Sequence, residues 1–214
     1  MALAVAGAEV LAVETDRRIA AALEEVVPDL SVRIVVADAL AADWPELLGS
    51  GRWRMASNLP YHAAVPIVLE LLARAPAVDP FVVMVQREVG ERLAAAPGGP
   101  AFGAVSLKVA YHAEVRVLRR IRPTVFWPEP KIESVLLRLD RRPAPVEVAP
   151  DRLFDLIEEG FRERRKTMTT ALVRRGLDRA RAREVLSSVG IDPRARAETL
   201  GLDVFARLTE ALDG

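Results

Sequence analysis

The stretch AEVLAVETDRRIAAALEEVVPDLSVRIVVAD, residues 8–38, decides the fold. Its first part, AEVLAVET (8–15), is short and mainly apolar, which is typical of a buried strand. DRRIAAALEEVV (16–27) has the spacing of an amphipathic helix, and SVRIVVAD (31–38) is a second apolar strand. Strand, helix and strand of these lengths make a right-handed crossover between two parallel strands. The stretch therefore predicts a parallel sheet covered by helices.

The same alternation continues to about residue 140. RWRMAS (52–57) and PFVVMVQ (80–86) are predicted strands, and AAVPIVLELLARA (63–75) and REVGERLAAA (87–96) are predicted helices. EVRVLRRI and SVLLRLDR leave no room for a helix between them, so they predict an antiparallel hairpin at the sheet edge. The predicted fold class is α/β, a Rossmann-like and largely parallel sheet with helices on both faces.

A different pattern follows the segment RRPAPVEVAP (141–150), which has the composition of a linker. Residues 151–175, 180–190 and 203–212 all have helical periodicity. We therefore predict two domains, an α/β domain at 1–142 and a small all-α domain at 143–214.

The composition of the 214 residues excludes several kinds of site. There is no cysteine, so a disulfide framework or a thiolate metal site is excluded, and two histidines fifty positions apart make zinc chemistry improbable. We expect no metal. The start MALAVAGAEVLAV lacks a basic n-region and no apolar run reaches membrane-spanning length. The expected protein is a cytoplasmic monomer that does not bind a membrane.

The net charge is zero, but the charges are segregated along the chain. Basic residues outnumber acidic ones 8 to 3 between residues 116 and 142, and 10 to 5 between 152 and 183. Such runs are often solvated helix faces, but arginine also pairs well with phosphate groups. Arg162, Arg165 and Lys166 lie at i, i+3 and i+4 of a predicted helix, so one basic face is predicted to bind RNA.

Polar residues end three of the predicted strands: Glu14, Asp38 and Asn58. In doubly wound sheets, ligands bind outside the carboxyl ends of the strands. A carboxylate there can accept hydrogen bonds from both hydroxyls of a ribose, and a second acid can accept one from an adenine amine. The alternative is that these acids cap helix N-termini, a role that Asp16 could also fill.

The segment NLPYH (58–62) joins the third strand to the following helix. Leu59 precedes a proline and is held extended, while Pro60 has a fixed φ and no N–H. The Asn58 amide oxygen and the backbone carbonyls are then fixed acceptors beside the flat ring of Tyr61. Two acceptors on an exocyclic amine would direct its lone pair and stabilise the charge that develops during attack. The alternative is a plain strand-to-helix turn with an asparagine cap and a buried tyrosine.

NLPYH resembles a motif of the rRNA adenine N6-dimethyltransferases, a family of S-adenosylmethionine enzymes. The resemblance continues in order through residues 85–118, through RPTVFWPEPKIESVLLRL (122–139) and FRERRKTMTTAL (161–172), and to the end at 196–212. It is strongest to the branch that dimethylates two adjacent adenines near the 3′ end of 16S rRNA in the small ribosomal subunit or its precursor.

The resemblance implies roles for individual residues. Glu14 would bind the ribose of S-adenosylmethionine and Asp38 its adenine. Asn58 and the Pro60 carbonyl would bind the target amine, with Asn58 also beside the cofactor. The flipped adenine would stack between two aromatic rings, those of Tyr61 and Phe126. Phe126 could instead make an ordinary core contact.

Two other functions stay open from the sequence. One is a non-catalytic rRNA-binding or ribosome-assembly factor on the same scaffold. The other is a resistance methyltransferase that acts on adenine in 23S rRNA, although the FRERRKTM segment and the RAETLGL ending favour the small-subunit branch.

One departure from the family pattern concerns the start. The family's glycine-rich cofactor loop lies roughly 20 residues before the acid of the second strand, whereas only 13 residues precede Glu14. We therefore expect the first strand and this loop to be missing and the α/β domain to be N-terminally incomplete. The strand at 8–15 should then have one unpaired edge.

We predict weak or absent S-adenosylmethionine binding and no measurable turnover by the 214-residue chain. The loop glycines and the following helix N-terminus normally supply the N–H groups that receive the methionine end of the cofactor. Adding an upstream segment of roughly 40–60 residues should restore binding, stability and turnover. Calorimetric titration of S-adenosylmethionine into both forms checks this, and tight binding by the 214-residue chain would contradict it.

Overall fold

The computed structural model describes residues 2–27 and 31–212. The chain divides into two compact units, residues 1–51 and residues 52–214. Within the described ranges no helix is long and apolar enough to cross a membrane.

The first unit contains the predicted strand, helix and strand. Strand β1 (Val10–Glu14) pairs in parallel with β2 (Val32–Val36). Helix α2 (Arg17–Val26) connects them, after a short α1 (Ala2–Val5), and α3 (Trp44–Leu48) follows β2. Among the described residues β1 pairs with β2 alone. The strand was predicted to be buried, but all five of its residues are only half-buried.

The second unit contains a four-stranded sheet in the order β3-β4-β6-β5. Its strands β3 (Trp53–Asn58) and β4 (Val78–Gln86) are parallel and are connected by α4 (Ala64–Arg74). Strands β5 (Ala113–Ile121) and β6 (Ser134–Arg141) form the predicted antiparallel pair, and β6 also pairs with β4. Two helices separate β4 from β5, namely α5 (Arg87–Leu93) and α6 (Ala104–His112). Helices α3 and α6 were not predicted from the sequence.

The sheet is buried at its centre, where β4 and β6 meet. Phe81, Val83 and Val85 of β4 are fully buried, as are Leu137 and Leu139 of β6. Half-buried residues alternate with them along both strands, so one face of this pair is more deeply buried than the other.

Helix α5 lies unusually close to this sheet at Gly90. A Cβ atom at this position would lie 2.2 Å from Cγ2 of Val135. Glycine in a helix interior costs helical stability relative to alanine. Here it permits a contact that no larger residue would allow without a shift of the helix.

Arg141, the last residue of β6, connects three elements through its guanidinium group. The group donates hydrogen bonds to the carbonyl oxygens of Leu71, Leu72 and Ala75 at the C-terminus of α4, at 2.8–2.9 Å. It also donates to the carbonyl of Val78 at the start of β4, at 2.8 Å. The last carbonyls of a helix have no partner within it, so a cation there satisfies them and complements the helix dipole.

Four more helices complete the unit: α7 (Pro150–Phe161), α8 (Met168–Arg174), α9 (Arg179–Ser188) and α10 (Leu202–Ala211). Their buried side chains share one apolar cluster with Phe102, Leu107 and Tyr111, which belong to α6 and the segment before it. The proposed division between residues 142 and 143 thus runs between helices that pack together, and it stays a prediction.

The predicted continuous helix over residues 151–175 is wrong. Helix α7 ends at Phe161 and α8 begins at Met168, with a turn between them. Tertiary contacts stabilise the break. The Met168 N–H donates to the Ala195 carbonyl at 2.8 Å, and Arg174 donates to the carbonyl of Glu159, which lies in the last turn of α7, at 3.0 Å.

We predict that Arg141→Met destabilises the protein because it removes four hydrogen bonds to carbonyls of buried residues, although the carbonyls of Leu71 and Ala75 each keep one backbone N–H donor. The expected loss is about 2–3 kcal/mol, or a thermal midpoint lower by roughly 5–10 °C. The thermal midpoint of Arg141→Lys should lie between those of Arg141→Met and the parent, since the lysine ammonium group cannot reproduce the planar fork of the guanidinium group. The matched control is Arg54→Met on β3, an exposed position where the midpoint should stay within about 2 °C. Equal midpoints for Arg141→Met and Arg54→Met would refute the role given to Arg141.

Candidate active site

In the first unit, Glu14 and Asp38 lie at the same end of neighbouring strands. Glu14 is the last residue of β1 and pairs with Val36, and Asp38 follows two residues later. Adjacent strands are about 4.8 Å apart. The structure therefore places both carboxylates at the carboxyl edge of the parallel pair, as the sequence predicted.

Backbone N–H groups orient both carboxylates. The Asp16 N–H donates to Oε1 of Glu14 at 2.9 Å, and the Leu40 N–H donates to Oδ1 of Asp38 at 2.9 Å. Each carboxylate has a second oxygen with lone pairs still available. Glu14 is half-buried and Asp38 is exposed. Both are suited to accept hydrogen bonds from a polar ligand.

The helix-capping alternative does not apply to Glu14 or Asp38. Asp16 is the N-cap of α2 and accepts from the Arg18 N–H at 2.8 Å, and this hydrogen bond is the main reason that the pKa of Asp16 is lowered. Asp43 caps α3 in the same manner. The capping positions are thus occupied by other acids, and the two strand-end carboxylates are left for another role.

In the second unit, Asn58 ends β3 and the chain then turns outward. The buried Leu59 fixes this turn, since its N–H donates to the Met84 carbonyl at 3.1 Å. Asn58, Pro60 and Tyr61 are exposed, with 41% of the Tyr61 side chain accessible. Among the described residues the Asn58 carboxamide has no hydrogen-bond partner, so its oxygen and its N–H groups are available to a ligand.

The alternative of an asparagine cap and a buried tyrosine is wrong. Helix α4 has Ala63 at its N-cap and receives no side-chain cap, and Tyr61 is exposed. The Pro60 carbonyl accepts the Ala63 N–H at 3.0 Å, which closes the turn and engages one of its lone pairs. The other lone pair can accept a second hydrogen bond. Pro60 is therefore a shared acceptor rather than a free one.

Phe126 lies in the loop 122–133, which joins β5 to β6. Strand register fixes the side of the sheet where this loop emerges: Asn58 pairs with Met84, and Met84 pairs with Leu136 near the start of β6. The carboxyl ends of β3 and β5 thus share one end of the sheet with the loop. The Phe126 side chain is half-buried and its backbone N–H donates to the Pro123 carbonyl at 3.0 Å. The neighbouring Trp127 was not a predicted site residue, because its position in the sequence does not reveal that its side chain is exposed.

Arg162, Arg165 and Lys166 lie in the turn after α7 rather than on one face of a helix. All three are exposed, and a surface cavity of about 520 Å³ is lined by Glu163, Arg164, Arg165 and Lys166. The side chain of Arg162 pairs with Glu159 at 3.3 Å. Arg165 and Lys166 have no acidic partner among the described residues. The predicted helical face is therefore wrong, but Arg165 and Lys166 are two exposed cations in this turn.

The two histidines lie in different surroundings, His62 exposed and His112 half-buried. No group of three or more His, Asp or Glu side chains within residues 2–27 and 31–212 could hold a metal ion. His112 is half-buried against Tyr111 and Phe154, and burial, followed by the charge of Arg141, lowers its pKa. This histidine has a packing role.

Parallel strands connected by helices, with polar residues at the carboxyl ends of the strands, are typical of the doubly wound α/β class of protein. Solved structures show the same fold. A dimethyladenosine transferase from Plasmodium falciparum superposes with a TM-score of 0.75 at 18% identity, covering 94% of this chain and 80% of that one. The 23S rRNA methyltransferase ErmE superposes with a TM-score of 0.68 at 23% identity, covering 96% and 82%.

Sequence relationships define the family. The model of the ribosomal RNA adenine dimethylase family matches residues 3–213. A ribosomal RNA small subunit methyltransferase A from Thermobifida fusca is 45% identical over 208 residues, covering 94% of this chain and 72% of the relative. The protein of the same name from Moorella thermoacetica is 39% identical, covering 95% and 75%. The chain therefore belongs to the ribosomal RNA adenine dimethylase family.

We predict that the Arg165→Glu/Lys166→Glu variant binds structured RNA more weakly and with a shallower salt dependence. Each phosphate contact that is lost should reduce the slope of log K against log salt by about 0.9 on a duplex. Arg162→Glu should have a smaller effect because Glu159 already neutralises this cation. The matched control, Arg179→Glu/Arg183→Glu on α9, makes the same change in net charge at exposed positions. Equal slopes for the two double variants would show that only net charge matters.

Proposed function

We propose that this protein transfers methyl groups from S-adenosylmethionine to the N6 amine of adenine in ribosomal RNA. The observation that carries the proposal is the exposed Asn58 carboxamide at the end of β3, which has no partner among the described residues and lies three residues before the exposed ring of Tyr61. Membership of the adenine dimethylase family supports the reaction class.

Glu14 and Asp38 are proposed to bind the cofactor. Their free carboxylate oxygens suit the ribose hydroxyls and the adenine amine of S-adenosylmethionine, and backbone N–H groups already hold both side chains in place. The bound cofactor supplies an electrophilic methyl group on a sulfonium. No metal is required for this transfer.

Asn58 and Pro60 are proposed to bind the target amine. The amide oxygen of Asn58 accepts one N–H of the amine, and the remaining lone pair of the Pro60 carbonyl accepts the other. These contacts favour a pyramidal nitrogen and strengthen as positive charge develops on it. The methylated amine is strongly acidic, so its proton leaves to solvent without a dedicated base. Tyr61 and Phe126 are proposed to stack on the extruded adenine.

The proposed substrate is a pair of adjacent adenines near the 3′ end of 16S rRNA, in the small ribosomal subunit or its precursor. The names of the relatives support the small subunit. The arginine-rich second half of the chain supports binding to a polyanion. The protein is proposed to act as a monomer in the cytoplasm.

Methyl transfer from labelled cofactor to 16S precursor particles, with 23S rRNA offered in parallel, tests the proposed substrate. The same assay separates an enzyme, which transfers the label, from a binding factor, which does not.

We predict that Asn58→Ala lowers the rate of methyl transfer by about 10² to 10³-fold and leaves RNA affinity nearly unchanged, because it removes a contact that strengthens in the transition state. The measurement is single-turnover methyl transfer to RNA, with the variant and the parent both carrying the added upstream segment. His62→Ala, an exposed neighbour outside the proposed contacts, is the control. A transfer rate for Asn58→Ala within a few-fold of that of the parent would contradict the role of Asn58 in binding the target amine.

A further inference from the structure

Trp127 is almost completely exposed, at 96% of its side-chain surface. Val125 and Ile132 in the same loop are 66% and 43% exposed. The other two tryptophans differ, since Trp44 is buried and Trp53 is half-buried. An indole ring gains substantial free energy from being covered, so full exposure at a loop tip is typical of a recognition site.

The loop that presents Trp127 is held at both ends. Pro123 begins a short 3₁₀ turn (Pro123–Val125), and Pro128 and Pro130 restrict the chain beyond the tryptophan. At the far end, the Glu133 carbonyl accepts the Arg87 N–H at 2.9 Å, and the side chains of these two residues pair at 3.7 Å. A restricted loop loses less conformational entropy when its exposed ring is covered.

Four cations surround this loop without acidic partners. Arg119, Arg120, Arg122 and Lys131 are all exposed, and none has an ion pair among the described residues. Nearby arginines on the same hairpin behave differently. Arg116 and Arg138 both bind Asp140, at 2.5 and 2.7 Å, and these hydrogen bonds, led by that of Arg138, lower the pKa of Asp140 to about 2. The positive charge of the four unpaired cations is therefore available to an anionic partner.

The position of the loop connects it to the proposed reaction. Strand register places residues 122–133 at the end of the sheet where Asn58 lies. An exposed aromatic ring among unpaired cations matches the way that proteins hold single-stranded nucleic acid, by stacking on bases and pairing with phosphates.

We propose that Trp127 stacks on the base of an unpaired RNA nucleotide that flanks the target adenine, while Arg119, Arg120, Arg122 and Lys131 bind the adjacent phosphates. This inference rests on the proposed function for the location of the target. It assigns Trp127 to substrate positioning, separately from the roles proposed for Phe126 and Tyr61. The partner is single-stranded RNA rather than a protein surface or a second copy of the chain.

The first test measures binding of a short single-stranded RNA with two adjacent adenines by fluorescence anisotropy, without cofactor. Trp127→Ala should weaken binding about 10-fold through loss of one stacking contact and leave the salt slope unchanged, because no charge is removed. Trp127→Phe should lose less. Val125→Ala, at an exposed position two residues away, is the matched control and should bind like the parent. Arg119→Gln/Arg120→Gln should instead reduce the slope of log K against log salt, because it removes two positive charges.

Inorganic polyphosphate separates stacking from charge, because it has phosphates but no bases. Its binding should be unaffected by Trp127→Ala. An RNA affinity for Trp127→Ala within two-fold of the parent, or an equal loss of polyphosphate binding, would overturn the proposal. Self-association of the parent that Trp127→Ala abolishes, seen by sedimentation, would also overturn it and assign the loop to a protein contact.

Tryptophan fluorescence gives an independent measurement. In a Trp44→Phe/Trp53→Phe background, Trp127 is the remaining indole, and stacking on a base should quench its emission when RNA is added. If this background does not fold, the anisotropy series still decides the question. If RNA binding depends on Trp127 but the extended parent transfers no methyl group, the proposed reaction is wrong and the stacking role stands. If Trp127→Ala transfers methyl groups at the same rate as the parent, the stacking role is wrong and the proposed reaction stands.

Discussion

The guanidinium group of Arg141 is the interaction on which the second unit most depends. It satisfies the C-terminal carbonyls of α4 and the first carbonyl of β4 from the end of β6, and it lies 5.4 Å from the centre of the Phe81 ring. Burial lowers the pKa of Arg141, and the charge of Asp79 opposes that shift. The carbonyls replace the lost hydration of the cation, so its burial is compensated.

This anchor has a consequence at the other end of α4. The helix begins directly after the turn that contains Asn58, Pro60 and Tyr61. Leu59 attaches the start of the turn to β4 through the Met84 carbonyl, and Arg141 fixes the far end of the helix on the same sheet. A turn held from both sides keeps its acceptors in place before a ligand arrives. Preorganised acceptors of this kind are most effective when charge develops during a reaction.

The cations of the second unit differ in how far they are neutralised. Arg174 binds Glu159 at 2.5 Å and also pairs with Glu163, so it stabilises the junction of α7 and α8. Arg165 and Lys166 in the turn between those helices have no such partner within residues 2–27 and 31–212, and neither do the four cations around loop 122–133. Exposed ion pairs contribute little to stability. The distinction between paired and unpaired cations therefore bears chiefly on where an RNA backbone could bind.

The sequence alone determined the six strands and the helices α2, α4 and α5, and it placed Glu14, Asp38 and Asn58 at strand ends, although it did not predict α3 or α6. Both are local properties, since apolar periodicity and a polar residue after an apolar run depend on neighbours in the chain. Tertiary structure decided the rest. The break after Phe161 depends on Ala195 and Arg174, the burial of Arg141 on carbonyls about 70 positions earlier, and the exposure of Trp127 on the absence of any described element over its loop. The first two depend on partners distant in the sequence, and the third depends on which described elements lie over the loop. Helical or strand periodicity encodes none of these.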